Sequence, residues 1–210
     1  MKVLITAGAT REFFDPVRYI SNPSTGKMGY ALAQAAVEAG CEVTVIAANV
    51  ALAAPAGATV VPVTTGDEML AAALKAFPQC DLLFKTAAVC DFKPAVYNEH
   101  KLKKDGNGMT VDFVPTTDIL KTLSRERRPE QILVGFAAET RDIETYAAKK
   151  LKEKNLDFVC ANLVGRGNVG AFGSDDNTIV LLGRDGSRRI FGPADKVSVA
   201  RALVATILKK

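Results

Sequence analysis

The sequence has no tryptophan, a single histidine (His100) and only four cysteines, Cys41, Cys80, Cys90 and Cys160, with no C-x-x-C pair among them. One histidine leaves little from which to build a zinc cluster or a serine–histidine–aspartate triad. Scattered cysteines with apolar neighbours read as reduced, buried thiols that pack as small hydrophobes. No apolar run reaches the roughly eighteen residues that span a bilayer. The opening Met1-Lys2-Val3-Leu4-Ile5-Thr6-Ala7-Gly8 reads as a buried strand entering a turn, unlike a signal peptide. The expectation is a cytoplasmic protein without membrane association. Charge of one sign is also scarce: the net charge is +4, and much of the excess sits in two local groups, Lys101, Lys103, Lys104 and Lys149, Lys150, Lys152, Lys154. Without a broad basic face interleaved with aromatics, nucleic acid is not an expected partner, and phosphorylated small molecules are.

What is present is a chain of 210 residues, 48% apolar, which suits one domain over 1–210 with a single core. Short apolar, β-branched runs at Val3–Thr6, Val43–Ala47, Thr59–Val63, Leu82–Thr86, Ile132–Phe136 and Phe158–Ala161 predict buried strands. Helical periodicity lies between several of them, at Met28–Ala39, Asp67–Phe77, Thr117–Arg125 and Ile143–Lys154. Near the end, Thr178–Leu182 and Arg188–Phe191 flank the turn signal Gly183-Arg184-Asp185-Gly186, and a helix follows over Asp195–Leu208. The predicted fold class is α/β: a Rossmann-like, mostly parallel sheet with helices on both faces and an antiparallel edge hairpin near the C-terminus. The segment at about 93–108 carries Pro94, a lysine cluster, Asn98, Asn107, Gly106 and Gly108 with little to bury, and predicts a mobile flap.

Three stretches carry chemistry. The first strand runs into a long polar loop, Thr6 to Asn22, and then Pro23-Ser24-Thr25-Gly26-Lys27-Met28-Gly29 opens a helix. A loop at the carboxyl end of the first strand of an open α/β sheet borders the ligand crevice, and free N–H groups at the helix start suit a phosphate near Ser24–Gly26. Gly26 and Gly29 fit equally well as residues that let the helix pack closely on the sheet. A P-loop is excluded, because Ser21 stands where it needs glycine and Met28 where it needs serine or threonine. The dinucleotide fingerprint is excluded as well, because Gly8 is followed by Ala9 and Thr10 with no further glycine until Gly26.

The second stretch, Thr86-Ala87-Ala88-Val89-Cys90-Asp91, ends a strand in small residues that admit a flat ligand, followed by one carboxylate. Asp91 also suits a turn residue bonded to its own backbone. The third, Lys101-Leu102-Lys103-Lys104, reads in isolation as a solvated charge cluster, and beside a phosphate site as a basic flap that closes over a polyanion. Tyr146 and Lys150 share the Tyr-x-x-x-Lys spacing of short-chain reductases, yet no serine lies in the strand Ile132–Phe136 to polarise a carbonyl. An NAD(P)-dependent reductase and a non-catalytic nucleotide-binding module are the competing readings.

Together, Asp15-Pro16-Val17-Arg18-Tyr19-Ile20-Ser21-Asn22-Pro23-Ser24-Thr25-Gly26-Lys27-Met28-Gly29, Ala87 to Phe92, Lys101 to Lys104 and Val134 to Thr140 resemble bacterial phosphopantothenoylcysteine synthetases, in the family's order. The resemblance continues through Ala148–Lys154, Leu156–Asn162 and Phe172–Asn177. Ala9, Phe13-Phe14 and Cys90 depart from the family's usual residues. The resemblance implies a ligase that activates 4'-phosphopantothenate with CTP and magnesium as an acyl-cytidylate and couples it to L-cysteine, as a homodimer. It implies Asn22 and Lys101 as catalytic residues and Ala87, Asp91, Phe136, Lys150 and Lys154 as nucleotide-site residues, with Gly26 at the phosphate-facing helix start; metal ligands stay unassigned. Many members also carry an amino-terminal flavin-dependent decarboxylase half, so a stand-alone enzyme and an excised half both fit this chain.

Overall fold

The computed structural model describes residues 1–139, 142–163 and 174–209. Its centre is an eight-stranded sheet. Strands β1 (Lys2–Gly8), β4 (Glu42–Ala48), β5 (Ala58–Val63), β6 (Leu82–Lys85), β9 (Ile132–Glu139) and β10 (Phe158–Leu163) run parallel. Strands β11 (Asp176–Gly183) and β12 (Arg188–Asp195) add the expected antiparallel edge. The spatial order is β12-β11-β10-β9-β6-β1-β4-β5, so chain order reverses on either side of β1. That is the doubly wound arrangement, and its switch point falls between β1 and β6.

Helices cover both faces, which is why β1 is buried from Val3 to Gly8 and shows no polar alternation. On one face, α1 (Lys27–Glu38) and α5 (Lys196–Ile207) close a core with Ile5, Leu32, Val45, Phe84 and Leu203. On the other, α2 (Gly66–Ala76), α3 (Ile119–Arg125) and α4 (Ile143–Glu153) close one with Leu4, Ile46, Met69, Phe77, Leu83 and Leu133. The helix starts are locally encoded. Thr65 and Glu68 form a reciprocal capping box on α2, and the carboxylates of Asp118 and Asp195 accept backbone N–H bonds at the starts of α3 and α5.

Two small ribbons were not visible in the periodicity. Within the polar loop after β1, β2 (Arg11–Phe13) pairs antiparallel with β3 (Tyr19–Ser21). Likewise β7 (Phe92–Pro94) pairs with β8 (Phe113–Pro115). The segment read as a flap over 93–108 therefore begins inside a strand: Lys93 pairs with Val114, and the Ala95 amide donates to the Asp112 carbonyl at 2.8 Å. The irregular stretch is the excursion between β7 and β8.

Candidate active site

The carboxyl ends of β1 and β6 are stitched to each other before any ligand arrives. Thr6, fully buried, accepts the Ala87 amide on its hydroxyl at 3.2 Å, and its carbonyl accepts the Thr86 hydroxyl. The Ala88 amide donates to the Gly8 carbonyl at 2.9 Å, and the Thr10 amide to the Ala88 carbonyl at 3.2 Å. Gly8 has φ +85°, and a Cβ there would meet the Ala48 carbonyl oxygen at 1.9 Å, so this crossing admits no side chain.

Over that crossing lies a cleft of about 540 Å³ at the switch point. It brings together Asn22, Gly26, Ala87, Asp91, Phe136, Lys150 and Lys154, all but one of the residues singled out in the sequence. Lys101 is not among its lining residues; it sits exposed on the flap, one residue from an anchored Leu102. The cleft also contains Lys27, Lys85, Asp118 and Lys196, which the sequence did not single out. Among the described lining residues five lysines stand with two carboxylates, Asp91 and Asp118, and Lys27 is paired with Asp175 at 2.7 Å, which still leaves a cationic excess suited to a polyanion.

The α1 N-terminus opens into this cleft. Gly26, its N-cap, adopts a left-handed conformation (φ 83°); no side chain caps the helix and no acidic residue stands in its first turn. The positive end of the α1 dipole therefore faces the cleft with no carboxylate in the first turn to offset it, which favours an anion there. Gly26 and Gly29 also pack tightly: a Cβ at Gly29 would meet the Ala7 Cβ at 2.6 Å, and one at Gly26 a Val50 methyl at 2.6 Å. The close packing expected of these glycines is present, and the helix start carries no side-chain cap.

Asn22 leaves β3 and lies against the β6 end. Its Nδ2 donates to the Ala88 carbonyl at 3.3 Å and reaches the buried Cys90 Sγ at 3.8 Å. A thiol is a weak acceptor, so the second N–H is readily redirected to a ligand oxygen. Cys90 is held by its own amide, which donates to the Thr10 hydroxyl at 3.1 Å, and burial raises its pKa, so it remains a thiol. Ala87, expected to read a base through its backbone, has its amide on Thr6 and its carbonyl on the Lys85 ammonium at 2.8 Å. The Asp91 carbonyl accepts the Thr116 amide at 2.9 Å, which fixes the loop and leaves the side chain exposed at the cleft rim.

Lys150 and Lys154, one turn apart on α4 and at its end, reach the same cleft. Lys154 is paired with Asp118 at 2.7 Å. Burial alone would raise the Asp118 carboxyl, but the Lys154 hydrogen bond and the Lys121 amide hold it below its ordinary value. Beneath them Lys85 is desolvated and repelled by Lys154 and Lys150, which push its ammonium down to about 8. Tyr146, by contrast, is 39% exposed and does not line the cleft, so the Tyr-x-x-x-Lys pair does not converge on a ligand. Among the described residues no group of three His, Cys, Asp or Glu side chains is placed to hold a metal, and Asp118 is committed to Lys154 and α3. No helix of the described residues is long and apolar enough to cross a membrane. Thr140, Phe172 and Gly173, part of the motifs read above, lie outside the described residues.

A doubly wound domain with a lysine-rich cleft at its switch point and an open helix start is an α/β protein whose crevice suits an anionic ligand. The chain belongs to the family described as DNA/pantothenate metabolism flavoprotein, C-terminal domain, which matches residues 1–210. It is 48% identical over 206 residues to the coenzyme A biosynthesis bifunctional protein CoaBC of Bacillus subtilis (strain 168), covering 98% of this chain and 50% of that protein. The chain thus spans about half the length of the curated relatives it matches. Among solved structures it resembles the C-terminal domain of a CoaBC protein, at 39% identity and TM-score 0.82 over 98% of this chain and 93% of that one. A Cab2 variant in complex with phosphopantothenate-cysteine shares the fold, at 16% identity and TM-score 0.83 over 99% of this chain and 84% of that one.

Proposed function

We propose that this domain is a phosphopantothenate–cysteine ligase. A carboxylate oxygen of 4'-phosphopantothenate attacks the α-phosphorus of CTP, and pyrophosphate leaves. The amine of L-cysteine, having lost a proton, then attacks the acyl carbonyl, and CMP leaves with the electron pair of the cleaved C–O bond. Activation is needed because a free carboxylate is a poor acyl donor, and shielding the mixed anhydride from water preserves it for the amine.

The observation that carries this reading is the convergence, in one cleft, of an uncapped helix start, five lysines and the oriented Asn22 amide. In this reading Lys150, Lys154 and the α1 amides hold phosphates, Phe136 and Ala87 flank the base, and Asn22 donates to the acyl oxygen as negative charge grows there. Lys101 closes from the flap over the intermediate. Magnesium is taken to enter on the phosphates of CTP as part of the substrate, in keeping with the described residues, among which no group of three His, Cys, Asp or Glu is placed to hold a metal.

Pyrophosphate release with magnesium, 4'-phosphopantothenate and CTP, and CMP formation once cysteine is added, are the expected results. ATP is expected to substitute poorly. Silence with both nucleotides, together with NADPH binding, would turn the reading toward a reductase; nucleotide binding without pyrophosphate release would turn it toward a non-catalytic module.

The reading includes a cytoplasmic homodimer. Tyr19, Phe92, Val96, Tyr97, Phe113 and Val114 are exposed on the two small ribbons and the start of the flap, where β2 packs against β7, and apolar side chains left exposed in one region are what a subunit interface would cover. Phe113→Glu is expected to shift sedimentation from dimer to monomer; a wild-type chain already monomeric at micromolar concentration, about 10 μM, would count against the dimer.

A further inference from the structure

Asp15 is the one carboxylate in the β2–β3 hairpin loop, and its side chain is 0% exposed. Desolvating a carboxylate is costly unless donors surround it, and four do. Oδ1 accepts the amides of Val17 at 2.9 Å and Arg18 at 2.8 Å, bonds that shape the turn. Oδ2 accepts the Leu102 amide at 3.2 Å, from 87 residues away, and forms an ion pair with the Arg18 guanidinium at 2.9 Å. The same guanidinium donates to the Leu102 carbonyl, so both backbone groups of Leu102 are held by one ion pair. A second clamp lies beside the first: the Phe14 carbonyl accepts both the amide and the Nδ2 of Asn98, each at 3.0 Å.

The two clamps fix positions 98 and 102 and leave only Glu99, His100 and Lys101 between them. The strand on the other side of the hairpin, β3, runs directly into Asn22. A turn needs only the Val17 and Arg18 bonds; those to Leu102 serve the flap. We infer that Asp15 is a positioning residue, whose buried carboxylate sets the root of the flap and thereby places Lys101 relative to Asn22 through one rigid hairpin. This rests on the reading that Lys101 acts in ligation. Misplacement of a reacting group by a fraction of a bond length is enough to slow a reaction strongly.

The test uses Asp15→Asn, which keeps shape but sets an amide against the donors, and Asn98→Ala, which removes the side-chain half of the neighbouring clamp, leaves its backbone half, and does not touch the buried charge. Hydrogen exchange at the Leu102 amide is expected to speed up about tenfold or more in Asp15→Asn. The kcat for pyrophosphate release should fall about tenfold, with KM for CTP within about twofold. In a Lys101→Gln background Asp15→Asn should cost little further, because both changes remove the same placement. Asn98→Ala should reproduce the kcat effect more weakly. Faster exchange with unchanged kcat, or losses that multiply independently of Lys101, would overturn the inference. If the wild-type chain releases no pyrophosphate, the ligase reading fails and the catalytic part of the inference with it, while exchange at Leu102 still reports whether Asp15 holds the flap.

Discussion

Asn22→Asp is expected to lower turnover by about 100-fold while leaving CTP affinity within about threefold. The amide nitrogen sits 3.3 Å from the Ala88 carbonyl oxygen, and a carboxylate oxygen in that place would be repelled by it. The donor would also vanish from the side of the cleft where, in the proposed reaction, the acyl oxygen gains charge as the amine attacks. A donor aimed at developing charge acts mainly in the transition state, so its loss appears in kcat and barely in KM. The second half-reaction should suffer more than the first. A burst of about one equivalent of pyrophosphate per site, with CMP formation delayed after cysteine is added, is the expected signature. Asn22→Ala separates the missing donor from the added charge and should fall between wild type and Asn22→Asp. A near-wild-type rate of CMP formation in Asn22→Asp would remove Asn22 from the chemistry.

The parts of the molecule legible in the sequence are those whose causes are local. The apolar run Val3–Thr6, the helix period of α1 and α4, and the Gly183 to Gly186 turn each specify their element without distant help, and together they dictate the doubly wound sheet with its antiparallel edge. The cleft was legible in part for the same reason: a crevice at the carboxyl end of β1 follows from topology, and Lys150 and Lys154 share a helix face by spacing. The hairpin β2–β3 was not legible because Asp15 looks like any loop aspartate until Leu102 arrives from 87 residues away. Lys85 was not legible because it lies within the run Leu82–Thr86, read only as a buried strand; its burial in the fold, with Lys154 and Lys150 brought close, is what depresses the ammonium. Ala87 shows the converse, a strand-end alanine that lines the cleft but whose peptide already has partners in Thr6 and Lys85.

Lys85→Met is expected to stabilise the ligand-free domain and weaken its hold on nucleotide. The Lys85 ammonium is displaced from 10.5 to about 8, first by burial and then by Lys154 and Lys150. Such a displacement corresponds to a penalty on the order of 3 kcal/mol for keeping the charge in place. Removing the ammonium also forfeits its bond to the Ala87 carbonyl, at about 1–2 kcal/mol, so a net gain of about 1–2 kcal/mol is expected. The pH dependence fixes the sign. Below pH 8 the folded and unfolded chains both carry this proton, and the folded one bears the whole penalty. Between about 8 and 10.5 the folded chain sheds it while the unfolded chain keeps it, so this group makes stability rise with pH in that window. Denaturant unfolding at pH 7 and pH 9.5 should find the difference between Lys85→Met and wild type largest at pH 7 and smaller at pH 9.5. A bound triphosphate reverses the preference, because its charge favours the ammonium; binding to wild type should draw in a proton above pH 8, and Lys85→Met should bind CTP about tenfold more weakly. A variant less stable than wild type at pH 7 with the same pH slope would mean that Lys85 is an ordinary solvated lysine. The opposite signs expected for stability and affinity reflect a charge kept at the floor of the cleft for the ligand it meets there.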